Sequence, residues 1–420
     1  MVLNILKSQN IENIVIFICD SLRWDYVPSS VTKRGVLFKT VASSLYTASS
    51  FPSIISGLYP PKTGVHTWED KLSKKFRGLF EIEGYNSSLW CETTWTNVPP
   101  DKSDIHNILG NPRGYSLDEI ESPFIYIEDD KGGHCPYGYP SGEYMGGGCS
   151  EFFKEFGKKG KSKLINQYIK GIEQSVKQFY KREKVLKERG LLENTLIIFS
   201  SDHGELLGEY GGLTHHNRPP CPELVYVPTI FIHPSLNKYY SDGSVIRHVD
   251  FYPTIASILN KKVLYEQDGV DLTRHTPSVG LNFRFGGYFR SNSKIKNLMK
   301  YEASSIWDFQ GGHAFHDLNR YKAFSFFFFK IFIQKHPRFN FLRENLKNNP
   351  NSKFKDCFKA IDHLSLPHIE YLRPQLSKST AKELINNYLK ESQEYREKMK
   401  IKNTIGNLIK KGNITGILKK

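Results

Sequence analysis

The chain has 420 residues, 39% hydrophobic, 13% aromatic and 24% charged, which excludes a disordered, collagen-like or coiled-coil protein and leaves room for a large buried core. Six cysteines without a CxxC pair exclude a disulfide framework and a structural zinc ribbon, and favour a reducing compartment. With 58 Lys and Arg against 43 Asp and Glu, the formal charge is +15, which favours anionic partners such as sulfate or phosphate esters, anionic lipid or nucleic acid.

In chain order, the first apolar run is Ile14 to Cys19, closed at once by Asp20. It is too short for a secretory leader, and no later run reaches the roughly 18 apolar residues of a membrane span. A cytoplasmic protein is expected. Residues 13–19, NIVIFIC, read as a strand covered on both faces, the habit of parallel α/β sheets. Residues 49–60 place a cluster of hydroxyls just before an apolar helical run, where free amides and the positive end of a helix dipole favour anions. Residues 123–128, PFIYIE, read as a second strand, and the glycine-rich segment 131–148 as loop. Residues 161–189 have helical spacing, with Leu164, Ile165, Tyr168, Ile169, Ile172, Val176 and Phe179 on one face and Gly190 as a stop. Residues 195–199, TLIIF, read as a third buried strand. Beyond about residue 270 the alternation fades into aromatics and lysines, including AFSFFFFKIFI at 323–333. A charged helix is expected at 380–399.

Asp20 and Asp202 each follow an apolar strand. Residues at the carboxyl ends of parallel strands line the ligand crevice of α/β proteins. If the strands are neighbours, the two carboxylates need a cation or a shared proton, and His203 adds a nitrogen ligand. Singly, each residue reads as an ordinary strand-end or helix-cap residue; the combination carries the chemistry.

In order along the chain, NIVIFICDSLRWD (13–25), SFPSIISGLYPPKTGV (50–65), PFIYIEDDKGGHCPY (123–137), LENTLIIFSSDHGELLGE (192–209) and HVDFYPTIASIL (248–259) resemble the sulfatase family of the alkaline-phosphatase superfamily. The resemblance implies an α/β sandwich with a mostly parallel central sheet and helices on both faces. It covers roughly residues 13–275, giving an expected catalytic domain at 1–275 and an aromatic- and Lys-rich subdomain with a basic tail at 276–420. It implies one divalent ion (Mn, Zn, Ca or Mg) held by Asp20, Ser50, Asp202 and His203, with mixed oxygen and nitrogen donors suiting Mn or Zn better than Ca. Ser50 is the expected nucleophile. His134 is expected to bind the ester anion, His215 or His216 to lie near the leaving oxygen, and Arg218 to add positive charge. His248 and Asp250 are expected to support the fold. Asp130 and His134 also have the spacing that nucleotide phosphodiesterases use for a second zinc.

Three departures set this chain apart. The Arg four positions beyond the nucleophile is Ile54, the second Asp after the first strand is Ser21, and the family's Lys after its Gly-Tyr segment is Glu92. The expected activity is hydrolysis or transfer at a sulfate or phosphate ester on a small-molecule, glycan or lipid-linked substrate, and the departures tilt it toward phosphorus and phosphodiester-type transferases. A catalytically inactive binding protein on the same fold is the rival reading. Peripheral contact with an anionic membrane is expected of the aromatic run and basic tail, whereas nucleic acid is disfavoured for want of a recognition motif.

Overall fold

The apolar run Asn13–Cys19 forms β1, buried at all seven positions. Its side chains alternate between two cores: Ile14, Ile16 and Ile18 face one side of the sheet, and Val15, Phe17 and Cys19 the other. This period of two, apolar on both faces, places β1 mid-sheet. A computed structural model describes residues 2–92, 99–138, 148–216, 219–285, 302–317 and 319–410.

Seven strands make the central sheet. They are β1, β2 (Val36–Val41), β3 (Asn86–Glu92), β4 (Phe124–Asp130), β5 (Thr195–Ser200), β8 (Tyr226–Ile232) and β9 (Tyr239–Arg247). The order is β3-β4-β1-β5-β8-β2-β9. Only β8 runs against its neighbours, β5 and β2; the other pairs are parallel. Between β5 and β8 lies a small hairpin, β6 (Leu207–Glu209) with β7 (Leu213–Thr214).

Helices cover both faces. Helix Lys161–Glu188 lays Leu164, Tyr168, Ile172, Val176 and Phe179 onto one core. Helices Thr47–Ser56 and Phe251–Ile258 close the other. The α/β sandwich expected from the sequence is therefore the fold.

A second, antiparallel sheet follows: β10 (Gly280–Arg284), β11 (Ala303–Trp307), β12 (Gly311–His316) and β13 (His368–Leu372). The aromatic run is helical over Arg320–Phe328 and continues as a wider turn over Phe329–Ile333. The charged C-terminal helix spans Lys378–Lys410. No helix among the described residues is long and apolar enough to cross a membrane, and none of the six cysteines forms a disulfide.

Candidate active site

Strands β4, β1 and β5 are adjacent and parallel, so the residues that follow them emerge side by side. Ile18 pairs with Ser200, which brings Asp20 and Asp202 to the same edge of the sheet. Asp20, Asp202 and His203 are fully buried, and one ligand atom from each lies within 4.8 Å of the others. His203 Nε2 is 3.4 Å from Asp202 Oδ2 and 3.8 Å from Asp20 Oδ1. Its Nδ1 faces the Gly204 carbonyl at 2.9 Å, which fixes the ring and leaves Nε2 for the centre.

Electrostatics at this edge are severe. Burial would raise Asp20, but Lys131, aided by His134 and His203, holds its carboxyl well below the usual carboxylate range. Asp202 is pushed the other way, to about 7, first by burial and then by the neighbouring Asp20. The backbone amides of Ser21 and His203 both donate to Asp202 Oδ1, at 3.1 and 2.9 Å. Its Oδ2 accepts no hydrogen bond although buried. A buried acceptor without a donor is costly. Two carboxylates, one with an unsatisfied oxygen, and an imidazole nitrogen fit a divalent cation.

The hydroxyl that reaches this centre belongs to Thr47. Thr47 opens helix Thr47–Ser56, and its Oγ1 is 3.2 Å from His203 Nε2. Ser50, the expected nucleophile, lies almost one turn further along the helix. Its hydroxyl donates to the Ser44 carbonyl at 3.2 Å. The expectation is corrected on this point: among the hydroxyls of this segment, the helix start presents Thr47, while Ser50 is tied to the turn before the helix. The position four beyond Thr47 is Phe51, so the missing Arg stays missing.

Ser21 replaces the second Asp and donates from Oγ to Asp20 Oδ1 at 2.8 Å, in a left-handed backbone conformation (φ +65°). Lys131 Nζ lies 2.7 Å from both Asp20 Oδ2 and Asp129 Oδ2. It supplies a built-in positive charge that the sequence pattern did not announce.

His134 follows β4 through a turn that passes against the Asp20 backbone. A Cβ on Gly133 would collide with the Asp20 carbonyl, so glycine is required there. His134, His215 and His216 form a second group with ligand atoms within 4.8 Å of one another. The His203 and His216 ring centroids are 4.3 Å apart, which joins the two groups. Asp130 does not join them: it caps the turn, accepting from the Gly132 amide at 2.9 Å. The spacing read as a second zinc pair instead builds a loop.

Glu205, the last residue of the SDHGE run, orients the histidines. Its Oε1 lies 3.3 Å from His215 Nδ1, its Oε2 3.3 Å from His216 Nδ1, and Tyr137 donates to it at 2.8 Å. Burial would lower His215, but Glu205 and Cys149 raise it to about 9. His216 is driven well below the usual imidazole range by burial and then by His215, His203, His134 and Arg338. The paired histidines are thus biased in opposite directions, His215 toward the charged form and His216 toward the neutral one.

Arg218 lies outside the described residues. Arg338, in the segment between β12 and β13, adds positive charge that is felt at His216. His248 and Asp250 are ties within the fold. His248 bridges the Ser43 amide (3.3 Å) and the Ser201 carbonyl (2.9 Å), and Asp250 pairs with Arg247 at 2.6 Å. Thr47, Lys131, Glu205 and Arg338 were missed in the sequence. Glu205 and Lys131 sat inside the quoted motifs and Thr47 just before one of them, whereas Arg338 had no local signal.

The Sulfatase family profile matches residues 132–261. Over 333 residues the chain is 33% identical to the low-salt glycan biosynthesis sulfotransferase Agl7 of Haloferax volcanii, a match covering 79% of this chain and 81% of that protein. It is 28% identical over 113 residues to arylsulfatase K of Bos taurus, covering 27% of this chain and 19% of that one. A solved 2-O GAG sulfatase superposes with a TM-score of 0.59 at 15% identity, covering 92% of this chain and 94% of its own, and so shares the fold. The chain belongs to the sulfatase family.

Proposed function

We propose that this protein transfers a sulfuryl group from a sulfate ester to a hydroxyl, with Thr47 as the covalent relay. The observation that carries the reading is Thr47 Oγ1 at 3.2 Å from His203 Nε2, at the start of a helix and beside the Asp20, Asp202 and His203 group. In the first half-reaction Thr47 Oγ1 attacks sulfur, the ester S–O bond breaks, and the Thr47 proton leaves to solvent. Protonated His215 gives its proton to the departing alcohol. In the second half, neutral His215 takes a proton from the acceptor hydroxyl as that oxygen displaces Thr47 from sulfur, and the departing Thr47 oxygen regains its proton from solvent. A glycan hydroxyl as acceptor makes a transferase; water makes a sulfatase.

Asp20, Asp202 and His203 would hold the divalent ion, which supplies Lewis-acid stabilisation of the sulfate oxygens. Helix Thr47–Ser56 adds the positive end of its dipole, and His134 and Arg338 add contacts for the anion. The named activity of the relative matched over most of this chain supports sulfur over the phosphorus favoured by the motif departures, and supports a glycan acceptor.

Thr47→Ala and Ser50→Ala separate the two candidate hydroxyls. With an aryl sulfate donor, Thr47→Ala is expected to lose at least about a thousandfold in kcat/KM while retaining metal by elemental analysis, and Ser50→Ala to stay within about threefold. Peptide mass spectrometry of quenched wild type should find the sulfo group on Thr47. An inactive Ser50→Ala beside an active Thr47→Ala overturns the assignment.

A further inference from the structure

The aromatic run is covered on one side only. Helix Arg320–Phe328 and its continuation bury Ala323, Phe327 and Ile331, spaced by four residues, in the core between the two sheets. Helix Phe354–Ser365 packs beside it and buries Cys357, Ala360, Ile361 and Leu364 in the same core. Phe324, Phe326 and Phe332 pack partly against that core, and the other apolar side chains of the two helices turn outward. Ile333 is 64% exposed, Phe354 57% and Phe329 50%, and Phe328, Phe358 and Tyr321 are exposed beside them. The rings form a continuous layer: Phe328–Phe332, Phe332–Phe354 and Phe354–Phe358 have centroids 4.9, 5.6 and 5.3 Å apart.

This layer is set in positive charge. Residues 320–359 contain ten Lys or Arg and two acidic residues. Lys322, Lys335, Lys353 and Lys355 are exposed around the rings. The nearby carboxylates are engaged, Asp356 with Lys359 at 3.3 Å and Asp362 with Arg320 at 2.8 Å. Large exposed apolar patches mark interaction sites, and a rim of lysines selects an anionic partner.

We propose that this face docks the protein onto an anionic phospholipid bilayer, with Phe329, Ile333 and Phe354 entering the acyl boundary and the surrounding lysines resting on the headgroups. Aromatic and aliphatic side chains outward, lysines beside them and no spanning helix among the described residues are the make-up of an interfacial anchor.

Full-length protein without substrate is sedimented with vesicles of phosphatidylcholine alone or mixed with phosphatidylglycerol, so the readout is independent of the reaction assigned above. The wild type is expected to pellet with the mixed vesicles and to be released by salt. The combined variant Phe329→Ser/Ile333→Ser/Phe354→Ser, with its fold checked by circular dichroism, is expected to bind at least about tenfold more weakly. Lys322→Glu/Lys335→Glu/Lys355→Glu should weaken binding and flatten its salt dependence. Equal binding to both vesicle types overturns the proposal. So does wild-type binding by the apolar variant, which would move the contact to another basic surface. A wild-type dimer that this variant renders monomeric, without vesicle binding by either, makes the face a self-association surface instead and equally overturns it.

Discussion

His215 shows how one residue acquires a role from its surroundings. Its backbone is left-handed (φ +67°), and its ring is held by the buried Glu205. The carboxylate keeps it charged to about pH 9, against an ordinary value of 6.5. A group raised in the folded state stabilises fully below about 6.5 and loses that contribution as pH rises through about 9. In the proposed reaction the same proton serves the leaving alcohol, so kcat/KM is expected to fall above about pH 9. His215→Gln should remove that limb and slow poor leaving groups by about a hundredfold, with little effect on an activated aryl sulfate. Equal slowing of both substrates in the pH-rate comparison would return His215 to a structural role.

At the level of elements, the site depends on how β4 and helix Lys161–Glu188 are clamped. Glu128 of β4 is fully buried and accepts from Arg182 Nε and Nη2 at 2.7 and 2.8 Å and from Tyr126 at 2.9 Å. Burial pushes Glu128 up to about 7, with Arg182 opposing. Arg182→Met removes that opposition, so the carboxyl should titrate higher still. Stability linked to a raised carboxyl is present at low pH and is lost as pH rises through the folded pKa. The variant is therefore expected to lose about 3 kcal/mol at pH 8 and markedly less at pH 5, read from urea unfolding at the two pH values. A pH-independent loss would mean that Arg182 acts only through packing.

Across the whole molecule, the two sheets share one core. Val41, Leu45, Leu224 and Val225 from the first part cluster with Trp307, Ala314, Phe327 and Ile361 from the second. Tyr226 donates to the Asp308 and Gly311 carbonyls at 2.6 and 2.9 Å, and Lys39 to the Phe309 carbonyl at 2.8 Å. We propose that residues 276–420 complete the catalytic part as well as being appended to it. A chain ended at residue 275 is expected to be insoluble or molten, because the cut exposes that cluster and removes Arg338. A soluble, cooperatively unfolding fragment in light scattering and thermal melts would restore the independent domain expected from the sequence.

The sequence alone determined what depends on neighbours in the chain. Unbroken apolar runs defined β1, β4 and β5, helical spacing defined Lys161–Glu188, and strand-end positions marked Asp20 and Asp202, because period and burial are written into consecutive residues. The family likeness was legible in SDHGE for the same reason. Only the tertiary structure decided which hydroxyl faces the carboxylates, since Thr47 and Ser50 share a helix and a type, and their difference is one turn of depth. It also decided that Lys131 neutralises Asp20 and that the charge of Arg338 is felt at His216, since charges act through space across separations the chain order conceals. The outward half of the aromatic run was settled in the same way: its composition is uniform, and only packing against helix Phe354–Ser365 and the shared core determines which rings are covered.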